Sequence, residues 1–205
     1  MEELFAKYNY ATDKLSAHSY IPEYERLFRH RKDRVFNVLE IGIGRGGSLQ
    51  LWNDYFENAH IYGIDLNYIN DYLDCFERIH QIKDDAYTTQ CIHNNFIAKH
   101  IKFDIIIDDG PHNKQSQMST MGMYFPLLTE DGVIIIEDVQ DYLDPGVWIK
   151  DIIDSLPAKY RRFAEVIDLR HFNKSPDDLL IVLDKSQIDS ADLRAPVLPP
   201  FPSYT

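Results

Sequence analysis

Two short stretches carry the residue types from which a chemical site can be built. Residues 103–112 read FDIIIDDGPH, an apolar run that is broken by Asp104 and stops at Asp108 and Asp109, with Gly110 and His112 just beyond. Residues 132–138 read GVIIIED and repeat the design, ending in Glu137 and Asp138. A continuous apolar run reads as a strand buried on both faces of a parallel sheet. Open α/β sheets place their ligands at the carboxyl ends of such strands. Two strands that deliver carboxylates to one edge, with a histidine beside them, read as a site for acid–base or cation chemistry and not as core.

The elements that must position these groups are legible along the chain. Residues 36–44 (FNVLEIGIG) form a first strand that runs into Arg45-Gly46-Gly47-Ser48, and a helix follows with Ser48 as its candidate cap. Residues 60–66 form a second strand ending in Asp65, and residues 79–82 a short third, followed by Asp84-Asp85-Ala86. Leu73 and Phe76, with Tyr72 and Ile79, outline a helix between them, and residues 88–100 are helical in pattern. Residues 116–128 read as a core-packing helix, and residues 148–156 as another. Residues 163–169 and 179–183 are two strands joined by a connection too short for a crossover helix, which predicts an antiparallel pair. The expected architecture is α/β, a Rossmann-like seven-stranded sheet, mostly parallel, with a C-terminal antiparallel hairpin.

Gly42-Ile43-Gly44-Arg45-Gly46-Gly47 matches the dinucleotide fingerprint between a strand and a helix, with Asp65 at the next strand end. The same geometry serves S-adenosylmethionine, and in both cases Asp65 would pair with ribose hydroxyls. Three features favour S-adenosylmethionine over NAD. Glu40, near the end of the first strand, can meet the cofactor's ammonium group, and Asp85-Ala86 suits an adenine amino group. The closing antiparallel hairpin belongs to the methyltransferase sheet and not to the dinucleotide fold.

Taken together, VLEIGIGRGGSLQLW, IYGIDLN, IIDDGPH and IIIEDV, preceded by Thr12-Asp13-Lys14, His18, Tyr20 and Tyr24, resemble the class I S-adenosylmethionine-dependent O-methyltransferases. More narrowly, the chain resembles the metal-dependent sugar O-methyltransferases of macrolide tailoring (the mycinamicin and tylosin type) and is similar to the cephalosporin-hydroxylase-like proteins. The resemblance covers roughly residues 5–184. The extra N-terminal domain of the macrolide enzymes is not expected in a chain of this length. By this resemblance Asp109, Glu137 and Asp138 would be metal ligands and His112 the general base, with Asp109 sharing the catalytic work. The cofactor would lie against Glu40, Gly42, Gly44, Ser48, Asp65, Asp85, Ala86 and Asp108, with Lys14 and Tyr20 folding over its methionine end. Physical chemistry supports the metal independently: clustered carboxylates repel and rise in pKa unless a cation compensates them. An all-oxygen set suits a hard ion, Mg2+ first, with Mn2+ or Ca2+ as alternatives. Coordination would lower the pKa of an acceptor hydroxyl, which His112 could then deprotonate. The competing reading treats these acids as helix caps and loop solvators. The expected reaction is methylation of a sugar hydroxyl on a glycan, nucleotide sugar or glycosylated natural product. The alternatives are a catechol-type O-methyltransferase, an NAD-binding oxidoreductase or a non-catalytic S-adenosylmethionine-binding module.

Composition sets the remaining expectations. The 205 residues suit one domain, divided into a helical cap (1–34), a catalytic sheet domain (35–185) and a proline-rich tail (186–205). A net charge of −12 argues against nucleic-acid binding, which needs a basic surface. The basic cluster at residues 26–34 reads as a solvated helix end. Cys75 and Cys91 show neither metal-ligand spacing nor a disulfide framework. With no signal-peptide pattern and no apolar run long enough to span a bilayer, a cytoplasmic protein without a membrane partner is expected. Residues 195–205 hold four prolines, and are expected to be disordered or to form an arm in a homo-oligomer.

Overall fold

The computed structural model describes residues 1–67, 69–189, 191 and 193. The tail at 195–205, and with it any arm toward a neighbouring subunit, lies outside the described residues. Two short N-terminal helices, α1 (Glu2–Lys7) and α2 (Tyr20–Phe28), precede β1 (Asn37–Ile41). The chain then alternates through α3 (Gly47–Tyr55), β2 (His60–Asp65), β3 (Ile79–Lys83), α4 (Thr89–Ile92), β4 (Phe103–Asp108), α5 (Lys114–Met123), β5 (Leu128–Ile136) and α6 (Val147–Asp154). It closes with β6 (Glu165–Asp168), the one-turn α7 (Arg170–Asn173) and β7 (Leu179–Asp184).

The seven strands form one sheet in the order β3-β2-β1-β4-β5-β7-β6. The first five run parallel, and β7 enters antiparallel to both β5 and β6. This is the architecture expected from the strand pattern and the short final connection. Successive residues of the central strands feed opposite layers, as the two-residue period of a strand requires. Ile105, Ile107, Val133 and Ile135 pack with α2 and α3, whereas Ile106, Ile134 and Ile136 pack with α4, α5 and α6. Burial on both faces is why these strands read as unbroken apolar runs.

Three local expectations are corrected. The helix after the glycine loop is capped by Gly46, at φ +78°, and Ser48 sits inside its first turn. The predicted helix through Tyr72 is a short 3-10 turn (Asp71–Cys75), because Ile79 is already paired with Ile61 in β3. Gln81 of β3 fastens that turn by accepting from the Asn70 backbone N–H and donating to its carbonyl. The helix predicted over residues 88–100 is one α-turn followed by a π-turn (His93–Ile97). There Asn95 Nδ2 bonds the Cys91 carbonyl at 3.0 Å, competing with the regular helical ladder.

The glycine loop shows why residue type matters locally. Gly42 adopts φ +95°, and a Cβ there would lie 2.0 Å from the Asp109 carbonyl oxygen. A Cβ on Gly47 would lie 2.4 Å from the backbone of Ala11. The loop therefore packs backbone to backbone against the carboxylate strand end on one side and the N-terminal segment on the other. Among the described residues no helix is long and apolar enough to cross a membrane.

Candidate active site

Parallel register brings the ends of β1, β4 and β5 to one edge: Ile41 lies beside Asp108, and Asp108 beside Ile136. The residues just past those ends, Gly42, Asp109 and Glu137–Asp138, therefore meet there. Two cavities open at this edge and share Gly42, Gly44 and Asp109 in their walls. One, of about 470 Å3, is also lined by Thr12, Asp13, Ser16, Arg45 and Ser48. The other, of about 400 Å3, is lined by Asp65, Asp85, Ala86, Tyr87 and the apolar side chains of Ile41, Ile64 and Leu66.

The cavities collect most of the expected cofactor residues. Asp65 is braced by the Ile43 and Asn67 N–H groups, at 3.0 and 2.8 Å, and Asp85 accepts from the Tyr87 N–H at 3.0 Å. Glu40, Lys14 and Tyr20 line neither cavity and are fully buried. Asp108 is also buried, accepting at 3.1 Å from both the Tyr87 hydroxyl and the Gly110 N–H. It shapes the turn that aims Asp109, and burial raises its pKa.

The acid residues resolve into two neighbourhoods. His112 Nε2 lies 3.0 Å from Asp109 Oδ1 and 3.3 Å from Asp138 Oδ2. Both His112 (φ +50°) and Asp138 (φ +52°) occupy the left-handed region, which is costly for residues with a Cβ and concentrates at functional sites. Gln117 of α5 holds the second bend by donating to the Glu137 and Asp138 carbonyls at 2.9 and 3.3 Å. Trp148 is buried and donates to Gln117 Oε1 at 2.8 Å, whereas Tyr142 is exposed.

The other neighbourhood centres on a lysine. Lys14 Nζ lies 2.7 Å from Asp109 Oδ2, 2.7 Å from both Glu137 oxygens and 3.3 Å from Glu40 Oε1. The predicted ligand trio is thus divided: Asp109 faces both neighbourhoods, Asp138 faces His112, and Glu137 faces Lys14. Tyr24 also donates to Glu137, and Tyr20 donates to Asp138 at 2.5 Å. Trp52 Nε1 donates to Glu40 at 3.0 Å.

Tyr24 and His18 gain partners that sequence reading had not assigned. Tyr20 and Tyr24 are four apart on α2, so they share a face and reach adjacent acids. That spacing was the available signal. The His18 ring stacks on Tyr20 at 4.8 Å, with Nδ1 3.5 Å from Asp138 and 3.7 Å from Asp178.

Electrostatics follow from burial and pairing. Burial pulls the Lys14 ammonium down, but Asp109, Glu137 and Glu40 outweigh it and hold the group well above its ordinary value. Burial raises Glu137, and the neighbouring acids add to the rise against the pull of Lys14. Burial also opposes ionisation of Asp109, yet Lys14 and His112 bring its carboxyl down to about 2. For His112, burial is overcome by the Asp109 hydrogen bond and the charges of Asp138 and Asp109, which push the imidazole up to about 9.

These residues fit the groups the sequence implied. The apolar second cavity with its flanking acids suits an adenosine, and the Gly42–Gly44 backbone leaves room for a close approach. Asp109 and Asp138 bring hard carboxylate oxygens within 4.8 Å of one another, apt for a small divalent cation, and the His112 imidazole lies beside them as a softer group.

No protein-family model matches the chain. It is 34% identical over 139 residues to the demethylmacrocin O-methyltransferase of Streptomyces fradiae, covering 64% of this chain and 34% of that protein. Against the mycinamicin VI 2''-O-methyltransferase of Micromonospora griseorubida it is 30% identical over 139 residues, covering 63% of this chain and 33% of that protein. The structure of the MycE methyltransferase from the mycinamycin biosynthetic pathway, in complex with Mg, SAH and mycinamycin VI, superposes with a TM-score of 0.70. That alignment is 25% identical and covers 89% of this chain and 53% of MycE. The chain spans about a third of the length of the curated relatives it matches. In sequence and in fold it is similar to the sugar O-methyltransferases of the mycinamicin and tetracenomycin type.

Proposed function

We propose that the chain is an S-adenosylmethionine- and Mg2+-dependent O-methyltransferase that methylates a hydroxyl of a sugar on a glycosylated small molecule. The observation that carries this reading is the convergence of two groups at one sheet edge. The paired cavities of the glycine loop meet the Asp109–His112–Asp138 cluster, and Asp109 belongs to both. The similarity to enzymes named as O-methyltransferases of rhamnosyl tetracenomycin-C supports the acceptor class.

In this reading Asp65 binds the ribose hydroxyls, and Asp85 and Ala86 meet the adenine edge. The Gly42–Gly44 backbone lets the methionine portion approach Asp109. Asp109 and Asp138, with His112 beside them, hold the ion, and Glu137 sets the charge of the cluster through Lys14. A divalent ion bound there would lower the pKa of an acceptor hydroxyl, and its charge would oppose the carboxylates that hold His112 protonated. His112 then accepts the hydroxyl proton at Nε2. The oxygen attacks the methyl group in line with the departing sulfur, so the protein contributes mainly alignment. A bend held by Gln117 and a glycine loop held against Asp109 serve that alignment.

Titration calorimetry with S-adenosylhomocysteine, with and without Mg2+ and beside NAD, tests the cofactor assignment. Micromolar binding of S-adenosylhomocysteine and no response to NAD are expected. Methyl transfer from labelled S-adenosylmethionine to a panel of glycosides and catechols then tests the acceptor. Turnover of catechols alone would refute the sugar assignment, and NAD binding would refute the whole reading.

A further inference from the structure

By sequence Glu40 would meet the cofactor's ammonium group, but the fold takes that acid out of reach. Its side chain is fully buried, with Trp52 Nε1 3.0 Å from Oε2 and Lys14 Nζ 3.3 Å from Oε1, and it lines neither cavity. A methionine end lying in the first cavity therefore meets other charges. Among the described residues that line the two cavities, Arg45 carries the single cationic side chain, and it comes from the glycine loop. Its guanidinium has no hydrogen-bond or ion-pair partner among the described residues. Its backbone is anchored from behind: the Tyr72 hydroxyl donates to the Arg45 carbonyl at 2.6 Å, and Asn70 Nδ2 to the Gly44 carbonyl at 3.1 Å. The first cavity also has two acids in its wall, Asp13 and Asp109. Asp109 already gives Oδ2 to Lys14 and Oδ1 to His112. Asp13 keeps an exposed carboxylate, with His18 Nε2 4.0 Å away, while its carbonyl accepts from the Ser16, Ala17 and His18 N–H groups and fixes a tight turn. The backbone of Ala11, packed on Gly47, joins that turn to the glycine loop.

We propose that Arg45 and Asp13 form a zwitterion clamp for the amino-acid end of the cofactor, Arg45 pairing with the carboxylate and Asp13, in place of Glu40, with the ammonium. The inference rests on the cofactor reading given under Proposed function. A planar guanidinium meets a carboxylate with two parallel hydrogen bonds, and an unshared carboxylate accepts readily from an ammonium. Each charge of the ligand thus replaces water on a group that the fold leaves open, while Glu40, Lys14 and Asp109 satisfy one another. The clamp makes the site selective for nucleosides that carry a whole amino acid over those cut short at the thioether.

Calorimetry with three ligands tests the clamp: S-adenosylhomocysteine, its decarboxylated analogue, and 5'-methylthioadenosine, which lacks both charges. The wild-type chain should bind S-adenosylhomocysteine about 10–100-fold more tightly than the decarboxylated analogue. Arg45→Gln should weaken S-adenosylhomocysteine by that same factor and leave the other two ligands unchanged. Asp13→Asn should weaken both ammonium-bearing ligands about 10-fold and spare methylthioadenosine. Equal loss of all three ligands in Arg45→Gln would mean that Arg45 only shapes the loop, and would overturn the proposal. Asp13→Asn binding every ligand as wild type does would overturn the ammonium half. Wild-type protein that binds S-adenosylhomocysteine and methylthioadenosine equally well would refute the clamp while sustaining the nucleoside reading. No binding of any of the three would refute both. The ligand comparison on the wild type requires no substitution, so it decides the matter even if a variant fails to fold.

Discussion

Replacing Gly42 by alanine should damage the cofactor cavity and the acid site together. Two costs add at this position. At φ +95° an L-residue lies outside the ordinary left-handed well, a strain of about 1–3 kcal/mol. The new methyl carbon would also lie 2.0 Å from the Asp109 carbonyl oxygen and 2.7 Å from its carbon. That contact is backbone, held by the Asp109 N–H bond to the Ile41 carbonyl at 2.9 Å, so relief requires the strand end to move, at about 1–3 kcal/mol. The combined loss, about 4 kcal/mol, corresponds to a melting shift of about 12 °C for a chain of this size. Gly44→Ala is the internal control. Its φ is +49° and nothing lies within 4 Å of the added carbon, so folding should lose only about 1 kcal/mol, while the methyl projects into the cavities. Urea or thermal melts paired with calorimetry of S-adenosylhomocysteine and Mn2+ separate the two. Gly42→Ala should lose stability and both ligands, and Gly44→Ala mainly the nucleoside. A Gly42→Ala chain that melts like wild type and binds Mn2+ normally would refute the coupling through Asp109.

His112→Ala should lower methyl transfer by about 10²–10⁴-fold while leaving S-adenosylhomocysteine affinity within a few fold, as steady-state rates and calorimetry would show. In the metal-free protein, the His112 ring proton followed by NMR should titrate near pH 9, above its ordinary 6.5. Protonated His112 therefore contributes stability that is full below about pH 6.5 and lost as the pH rises through about 9, which pH-dependent melts would register. A midpoint near 6.5 would contradict the pairing with Asp109 and Asp138. Trp52→Phe removes the 3.0 Å donor to buried Glu40 and should cost about 1.5–3 kcal/mol in a denaturant melt. A neutral result would mean that Lys14 alone satisfies Glu40.

Much of this protein is determined by local sequence. The runs ending in Asp108–Asp109 and Glu137–Asp138 are strands because their unbroken apolar residues feed both layers of the core. The glycine loop follows β1 directly, and the short link between residues 169 and 179 forces the antiparallel pair. Those signals sit within windows of about ten residues, where side-chain period and turn chemistry act. The predicted helix over residues 88–100 broke up because Asn95 could bond its own preceding turn, a competition that a smoothed periodicity hides.

The division of the acid cluster was decided only by tertiary structure. Lys14 meets Asp109 across 95 residues of chain and Glu137 across 123. Tyr20 and Tyr24 reach Asp138 and Glu137 from α2, and Glu40 turns toward Trp52 instead of opening on a cavity. Sequence alone could place a lysine near the glycine loop and three acids at one sheet edge. Which acid faces the ammonium and which the imidazole depends on the packing of α2 and the N-terminal segment over β1, β4 and β5. That packing depends on the aromatic contacts between α2 and α3, which join Tyr24 and Phe28 to Trp52. Such contacts leave no periodic trace in a linear sequence, because their cause is complementary shape between distant segments.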